Sequence, residues 1–470
     1  MFQIIGISGG LMKEVDRMRI MVVGAGKVGS TLADHLTKEE HDVVVIDNDP
    51  EVLEKCQDSL DVMCVQGNGA NMQTLVNAAI DETDILIAAT ASDEINMLCS
   101  LAAKRLGAKY TIARVRDPQY QESLRMFQKV MDIDSAINPE LATALEIGHL
   151  LRFPFASNVE TFAKGKIEMI AFHAQAQDAI VGLPLKDISA KNSKIPRVLY
   201  CAIQHGNKVI IPNGNSIIEP DDHVYVTGEH NNIKEYFRTL RGNRRLKNVM
   251  IIGGGRISYY LTQRIIMDGM HVTLLELDPK KAQRLSDELP HATVLCGDGT
   301  NIDTLEQEGL RNMDAFICLT DRDEENLMAG LYAMRSGIPK VVIKNNRSNY
   351  SDIIASLGLD SVVSPKQITS DYILRYTRAI ANRHGSSVEK LYRLLDGQAE
   401  ALEFVVKEGN DKFLGKPLRD LHLKPNTLVA VIVRGDKIIT PFGNDYIEAG
   451  DSVIIMTCER GISNLNEVFR

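Results

Sequence analysis

The sequence predicts an α/β chain made by tandem duplication. A parallel-sheet domain is followed by a small β-rich α+β domain, and the pair is then repeated. Three observations carry this. Two glycine turns, Gly24-x-Gly26-x-x-Gly29 and Gly253-x-Gly255-x-x-Ser258, each sit between apolar β-branched runs. Each turn is followed at the same distance by an acid, Asp47 or Glu276: Gly253 minus Gly24 and Glu276 minus Asp47 are both 229. Short patterns downstream of the first turn return at nearly the same offset. Self-similarity over that range marks repeated domains.

The first copy opens with a buried strand, Ile20 to Val23, then the glycine turn, a helix, and a second buried strand ending on Asp47. Gly24 allows the tight turn, Gly26 lets a pyrophosphate approach the backbone, and Gly29 lets the helix lie close to the sheet. The helix aims its free N–H groups and positive dipole end at the phosphates. Asp47 stands near the spacing expected of an acid that binds ribose hydroxyls. This is a Rossmann-like dinucleotide pattern.

A helix is expected from Pro50 to Leu60, a strand from Val62 to Val65, and a helix from Met72 to Ala79. The strand Ile85 to Ala89 leads through Thr90-Ala91-Ser92-Asp93-Glu94 into a helix from Ile95 to Leu106. The strand Thr111 to Val115 carries Arg114, and a short strand near Asp134 to Ile137 precedes Pro139, which suits a first helical turn. Strands apolar throughout and alternating with helices indicate a parallel sheet covered on both faces. From about Val159 short strands are expected at Ala171 to Ala176, Val198 to Gln204, Lys208 to Ile211 and His223 to Thr227. A hairpin turn falls at Gly206-Asn207. Arg241-Gly242-Asn243-Arg244-Arg245 reads as the link to the second copy.

In that copy Gly67-Asn68-Gly69 returns as Gly297-Asp298-Gly299, and Thr90-x-x-Asp93-Glu94-x-Asn96 as Thr320-x-x-Asp323-Glu324-x-Asn326. Arg114 returns as Lys344, Gly182-x-Pro184-Leu185 as Gly415-x-Pro417-Leu418, and Asp222 as Asp451. Ser258 stands where Gly29 would be. Its side chain is expected to push the helix off the strand and loosen the cradle, with Arg256 adding a cation. Both halves are expected to bind nucleotide, the first holding dinucleotide more tightly.

At 470 residues and 44% hydrophobic composition the chain reads as globular, and its net charge of -9 argues against a general nucleic-acid surface. The seven cysteines form no C-x-x-C pair and read as small core residues in a reducing cytosol. No apolar run approaches the ~18 residues that span a bilayer. Residues 1–17 lack signal-peptide features and read as an extension. A carboxylate at 47 or 276 favours NAD(H) or an adenosine nucleotide over NADP, since a 2′-phosphate would be repelled. Arg114 and Lys344 either face the ligand or pair with a local acid. Asn68 and Asp298 shape their turns, and Asp93-Glu94 reads as a solvated helix start more readily than as a metal site. The scattered histidines form no catalytic dyad. An NAD-dependent oxidoreductase acting on a small molecule is the alternative, but it needs a proton donor beside the nicotinamide, and the β modules offer no such constellation.

The GAGKVG and GGGRIS turns, the ATASDEIN and LTDRDEEN stretches, and the GLPLKDI and GKPLRDL segments together resemble the TrkA family of Trk system potassium uptake proteins. Its members carry two RCK (KTN) N-domains and two RCK C-domains. The resemblance covers about residues 18–470. It implies an N-terminal extension at 1–17 and RCK N-domains at 18–140 and 246–365. It places crossover helices with RCK C-domains at 141–240 and 366–470. It further implies a cytoplasmic, non-enzymatic subunit that binds NAD(H), or ATP and ADP, and forms a homo-oligomeric ring, a tetramer, beneath a membrane potassium channel or transporter of the TrkH type. The first site would comprise Gly24, Ala25, Gly26, Lys27, Val28, Asp47, Thr90, Ala91 and Arg114. The second would comprise Gly253, Gly254, Gly255, Arg256, Ile257, Glu276, Thr320, Asp321 and Lys344.

Overall fold

The computed structural model describes residues 17–162, 167–188, 195–206, 208–242, 245–347, 354, 357–359, 361–381, 388–394, 398–409, 413–459, 462 and 464–469. The N-terminal extension, but for Arg17, and Asn207, Asn243 and Arg244 of the expected turn and link lie outside these. The chain divides into two compact units, one ending at Ile137 and the other beginning at Asn138.

The first unit is a single parallel sheet. Its strands are β1 (Arg19–Val23), β2 (Asp42–Asp47), β3 (Met63–Gln66), β4 (Ile85–Ala88), β5 (Tyr110–Arg114) and β6 (Ser135–Ile137), in the order β3-β2-β1-β4-β5-β6. The order reverses between β1 and β4, and this is where an open α/β sheet leaves a crevice at its strand ends. Met21, Val23, Val44, Ile46, Leu86 and Ala88 form the core with Cys99, Ala102 and Ala103 of the helix Asp93–Leu106. That helix starts two residues earlier than expected, because Ser92 caps it by accepting from the Ile95 amide at 3.2 Å. Two helices between β5 and β6, Pro118–Gln121 and Leu124–Met131, were not anticipated; Asp117 caps the first.

In the second unit the Asn138 side chain caps the helix Pro139–Arg152, with Pro139 in its first turn. Its buried face (Ala144, Ile147, Leu151) shares one core with Leu261 and Ile265 of the helix Arg256–Met267. The first β-rich sheet holds β7 (Asn158–Phe162), β8 (Ile167–His173), β9 (Leu199–His205), β10 (Lys208–Ile210) and β11 (His223–Gly228), in the antiparallel order β10-β9-β11-β8-β7. The strand expected at Ala171 to Ala176 ends at His173, since Asp178 accepts from the Gln175 amide and folds the chain away. Strand β7 and the helix His230–Arg241, which buries Ile233, Tyr236 and Phe237, were not foreseen.

The second parallel sheet repeats the first. It holds β12 (Asn248–Ile252), β13 (His271–Glu276), β14 (Thr293–Cys296), β15 (Ala315–Cys318), β16 (Lys340–Lys344) and β17 (Val362–Val363), in the order β14-β13-β12-β15-β16-β17. After the helix Pro365–Ala381 comes β18 (Val388–Leu394), β19 (Ala399–Val405), β20 (Thr427–Arg434), β21 (Lys437–Ile439) and β22 (Ser452–Thr457), ordered β18-β19-β22-β20-β21. The two β-rich sheets share a core in which Met169, Ala202 and Tyr225 meet Ala401, Val431 and Met456. Cys56, Cys99, Cys201 and Cys318 are buried, whereas Cys296 is exposed. Among the described residues no helix is long and apolar enough to cross a membrane.

Candidate functional site

The three glycines of the first turn are each held to glycine by a different neighbour. Gly24 has φ +97°, and a Cβ there would lie 2.9 Å from the Thr90 backbone. It therefore lets the loops after β1 and β4 close on each other across the crevice. A Cβ on Gly29 would fall 1.8 Å from the Gly24 carbonyl, which fixes the helix Lys27–Lys38 hard against the turn. A Cβ on Gly26 would meet nothing within 4 Å. That space is open to a ligand, and the helix beyond it has neither a side-chain cap nor an acid in its first turn. Its leading amides, on Lys27 and Val28, thus face an anion site of the kind a diphosphate fills.

Asp47 does more than wait for a ribose. Its Oδ2 accepts from the Ala25 amide at 2.6 Å and its Oδ1 from the Asp49 amide at 3.0 Å. The acid thereby shapes the glycine turn, and the Ala25 N–H is spent on the carboxylate, not offered to a phosphate. A carboxylate has about four acceptor positions, so both oxygens retain capacity for hydroxyl donors.

On the other side of the crevice the organising residue is Asn96, fully buried on the helix after β4. Its Oδ1 accepts from the Thr90 amide (2.8 Å) and hydroxyl (2.7 Å), and its Nδ2 donates to the Arg114 carbonyl at 2.9 Å. One side chain so ties the ends of β4 and β5 together and sets where Thr90, Ala91 and Arg114 stand. Buried Asp93 accepts from the Arg116 and Asp117 amides and pairs with the Arg116 guanidinium at 3.0 Å. Arg116 also donates to the Ala91 carbonyl. Asp93 is thus a loop brace. Asn96 and Arg116 were not among the candidate residues; the return of Asn96 as Asn326 was the available signal. Glu94 is held down to about 2 by hydrogen bonds from Ser92 and Tyr120.

The second copy reproduces the plan with exchanges. Gly253 has φ +91° and packs on the Leu319–Thr320 backbone, and a Cβ on Gly255 would meet nothing within 4 Å. Arg256 and Ile257 open the next helix, again without a side-chain cap. Buried Glu276 accepts from the Gly254 amide at 2.6 Å and the Asp278 amide at 2.8 Å. Asn326 ties Thr320 to the Lys344 carbonyl at 3.0 Å. Ser258 is buried, and its hydroxyl donates to the Gly253 carbonyl. The expected push on the helix is therefore met by a bond back to the turn. Lys344 reaches Asp321 at 3.2 Å. Asn68 and Asp298 each accept from an amide two residues on, at 2.9 Å, and shape their turns.

Against this geometry the comparisons are specific. TrkA-N domains match residues 20–139 and 249–365, and TrkA-C domains match 171–241 and 401–470. The Trk system potassium uptake protein TrkA homolog 2 of Methanosarcina mazei is 32% identical over 462 residues, covering 96% of this chain and 100% of the relative. The chain belongs to the TrkA family. The TrkA of Vibrio alginolyticus is likewise 32% identical, over 96% of this chain and 99% of its own length. TrkA membership makes this a potassium-transport protein and not an enzyme. Among solved structures, the GsuK channel bound to NAD aligns with a TM-score of 0.62 at 16% identity, over 95% of this chain and 78% of that one. That likeness speaks to the tandem fold.

Proposed function

We propose that this TrkA chain is a cytoplasmic regulatory subunit that binds NAD(H), with ATP and ADP as competing ligands, and thereby gates a membrane potassium channel or transporter of the TrkH type. One observation carries the reading. At both sheet reversals an uncapped helix start faces open space over a glycine without steric neighbours, with an acid at the end of the adjacent strand. The GsuK channel, which shares the tandem fold, is bound to NAD in its own structure, and this supports the same choice of ligand.

In this reading the amides of Lys27 and Val28, and of Arg256 and Ile257, donate to the pyrophosphate. Gly24, Gly26, Gly253 and Gly255 keep the approach clear. Asp47 and Glu276 accept from ribose hydroxyls while bracing the Ala25 and Gly254 amides. Thr90, Ala91, Thr320 and Asp321 line the far side, with Arg114 and Lys344 beyond them. The proposed division of the chain is RCK N-domains at 18–140 and 246–365 and crossover helices with RCK C-domains at 141–240 and 366–470. Four chains forming a ring would present equivalent sites to the partner. A ligand shifts such a ring only by binding its two states unequally.

The test is to purify the untagged chain, identify any co-purified nucleotide by mass spectrometry, and measure potassium flux through the partner in vesicles. NAD+, NADH, ATP and ADP are expected to change flux unequally. Identical flux with all four, or steady NADH oxidation on adding small 2-oxo acids, overturns the proposal.

A further inference from the structure

The two copies differ at the far side of the crevice. In the second, the Lys344 side chain is nearly buried, 9% exposed, and its ammonium lies 3.2 Å from the carboxylate of a fully exposed Asp321. An anion approaching Lys344 therefore meets Asp321 first, and the lysine charge is already matched. Ala91 holds the equivalent place in the first copy and brings no charge; instead Arg116 donates to its carbonyl. Asn346 takes the place of Arg116 in the second copy. Positions 91, 93, 114 and 116 thus carry two arginines against one aspartate, whereas positions 321, 323, 344 and 346, each 230 further on, carry one lysine against two aspartates. Further out, Arg322 pairs with Glu325 and Arg347 with Glu324 in the second copy. In the first, Glu94 takes the hydroxyls of Ser92 and Tyr120, and Asp117 caps a helix. The inner four positions remain the contrast.

Sheet order gives that contrast a direction. Along β13-β12-β15-β16 the strand ends place Glu276, the glycine turn, Thr320 and Lys344 in a row. A nucleotide with its ribose at Glu276 and its pyrophosphate at the turn extends its remaining part toward Asp321. In ATP that part is a further, strongly anionic phosphate. In NAD+ it is a ribose diol bearing a cationic ring, which a carboxylate can accept from and attract. We propose that Asp321 is a specificity-determining residue that makes the second site discriminate against nucleoside polyphosphates and take NAD+, while the first site admits both. This rests on reading both turns as nucleotide sites.

Calorimetry on the full chain tests it, with each site examined alone. Gly26→Asp closes the first site and Gly255→Asp the second: both positions have room for a side chain, and an aspartate there would cap the helix in place of the phosphate. The ratio of ATP to NAD+ affinity is expected to be lower at the second site. In the Gly26→Asp chain, Asp321→Ala should raise that ratio roughly three- to tenfold at low salt, with the gain fading toward ~1 M salt as screening removes it. In the Gly255→Asp chain, Ala91→Asp should lower the ratio by a similar factor. NAD+ binding with a ratio indifferent to Asp321→Ala overturns the assignment of Asp321 alone. A Gly26→Asp chain that binds neither nucleotide overturns the second site itself, and this proposal with it.

Discussion

At the residue scale the two copies solve one problem with exchanged parts. The acid that ends β2, or β13 in the second copy, must reach the amide that follows the first glycine. In the first copy the short Asp47 does so beside Ala25; in the second the longer Glu276 does so beside Gly254. A Cβ on Gly254 would lie 2.7 Å from Glu276 Oε2 and 2.5 Å from Leu285 Cδ1. Gly254→Ala should therefore destabilise the second sheet domain by about 1–3 kcal/mol, and Glu276→Asp should restore much of the loss. Urea unfolding of the two single variants and the double variant measures the coupling; additive losses would show that the residues do not share this space. Asn96 offers a second check. Asn96→Ala takes that partner from the part-buried Thr90 amide and Arg114 carbonyl, at about 1–3 kcal/mol in all. It should lower nucleotide affinity and speed exchange of the Thr90 amide, although Asn96 is not among the residues proposed to touch nucleotide. Unchanged exchange at Thr90 would remove the bracket role.

At the element scale the parallel sheets were legible because their strands are apolar throughout and their turns carry glycines with separate steric duties. Asp49, Asn71 and Asn138 stand directly before their helices, and each side chain accepts from an amide of the first turn. What stayed hidden depends on partners distant in sequence. Strand β7 (NVETF) lacks a long apolar run and gains its place by pairing with β8, and the helix His230–Arg241 is polar but for the face that buries Ile233, Tyr236 and Phe237. The double duty of Asp47 could not be inferred from spacing alone.

The β-rich domains show another such pairing. His205 Nδ1 lies 2.7 Å from the buried Asp222, with Glu219 at 3.5 Å, and Asp222 also accepts from the Glu219 amide. In the second copy Arg434 replaces the histidine and holds Asp451 through two bonds of 2.9 Å, with Glu448 at 3.0 Å. The hydrogen bond to Asp222 raises His205 above its ordinary pKa. Its stabilisation is thus complete below about pH 6.5, the unfolded value, and is lost as pH rises through the raised folded value. Half-buried His223, stacked on His173, is pushed down to about 3 by desolvation and then by His173. Between about pH 6.5 and its folded value the unfolded chain takes the proton and the fold does not, so stability falls as the medium acidifies. The first β-rich domain should therefore be most stable near neutrality. His205→Arg should flatten the alkaline loss only, as read from exchange of the Glu219 amide; an unaltered alkaline slope would exclude the latch.

At the scale of the whole molecule the duplication does not produce four independent beads. One unit ends at Ile137, while the other joins the first β-rich domain, the second parallel sheet and the second β-rich domain. The helix Pro139–Arg152 makes this joint. Its buried face shares a core with the helix Arg256–Met267, whose first turn is the second cradle, and the Asn138 side chain donates to the Tyr260 hydroxyl on that helix at 3.0 Å. The Lys340 ammonium reinforces it by donating to the Ala156 carbonyl at 2.6 Å and to Ser361 Oγ at 2.8 Å, all three groups being buried from solvent. Each unit contains one of the two proposed sites, so heat should unfold the chain in two steps that respond to ligand separately. At a free NAD+ concentration 100 times the dissociation constant, each unit gains about 2.7 kcal/mol, because ligand binds the folded form alone. Gly26→Asp should abolish the shift of the unit ending at Ile137 and leave the other transition rising with NAD+, and Gly255→Asp should do the reverse. Scanning calorimetry with and without NAD+ distinguishes the outcomes. A single transition that either variant lowers as a whole would mean that the two glycine turns report to one cooperative body, and that nucleotide at one copy is felt at once by the other.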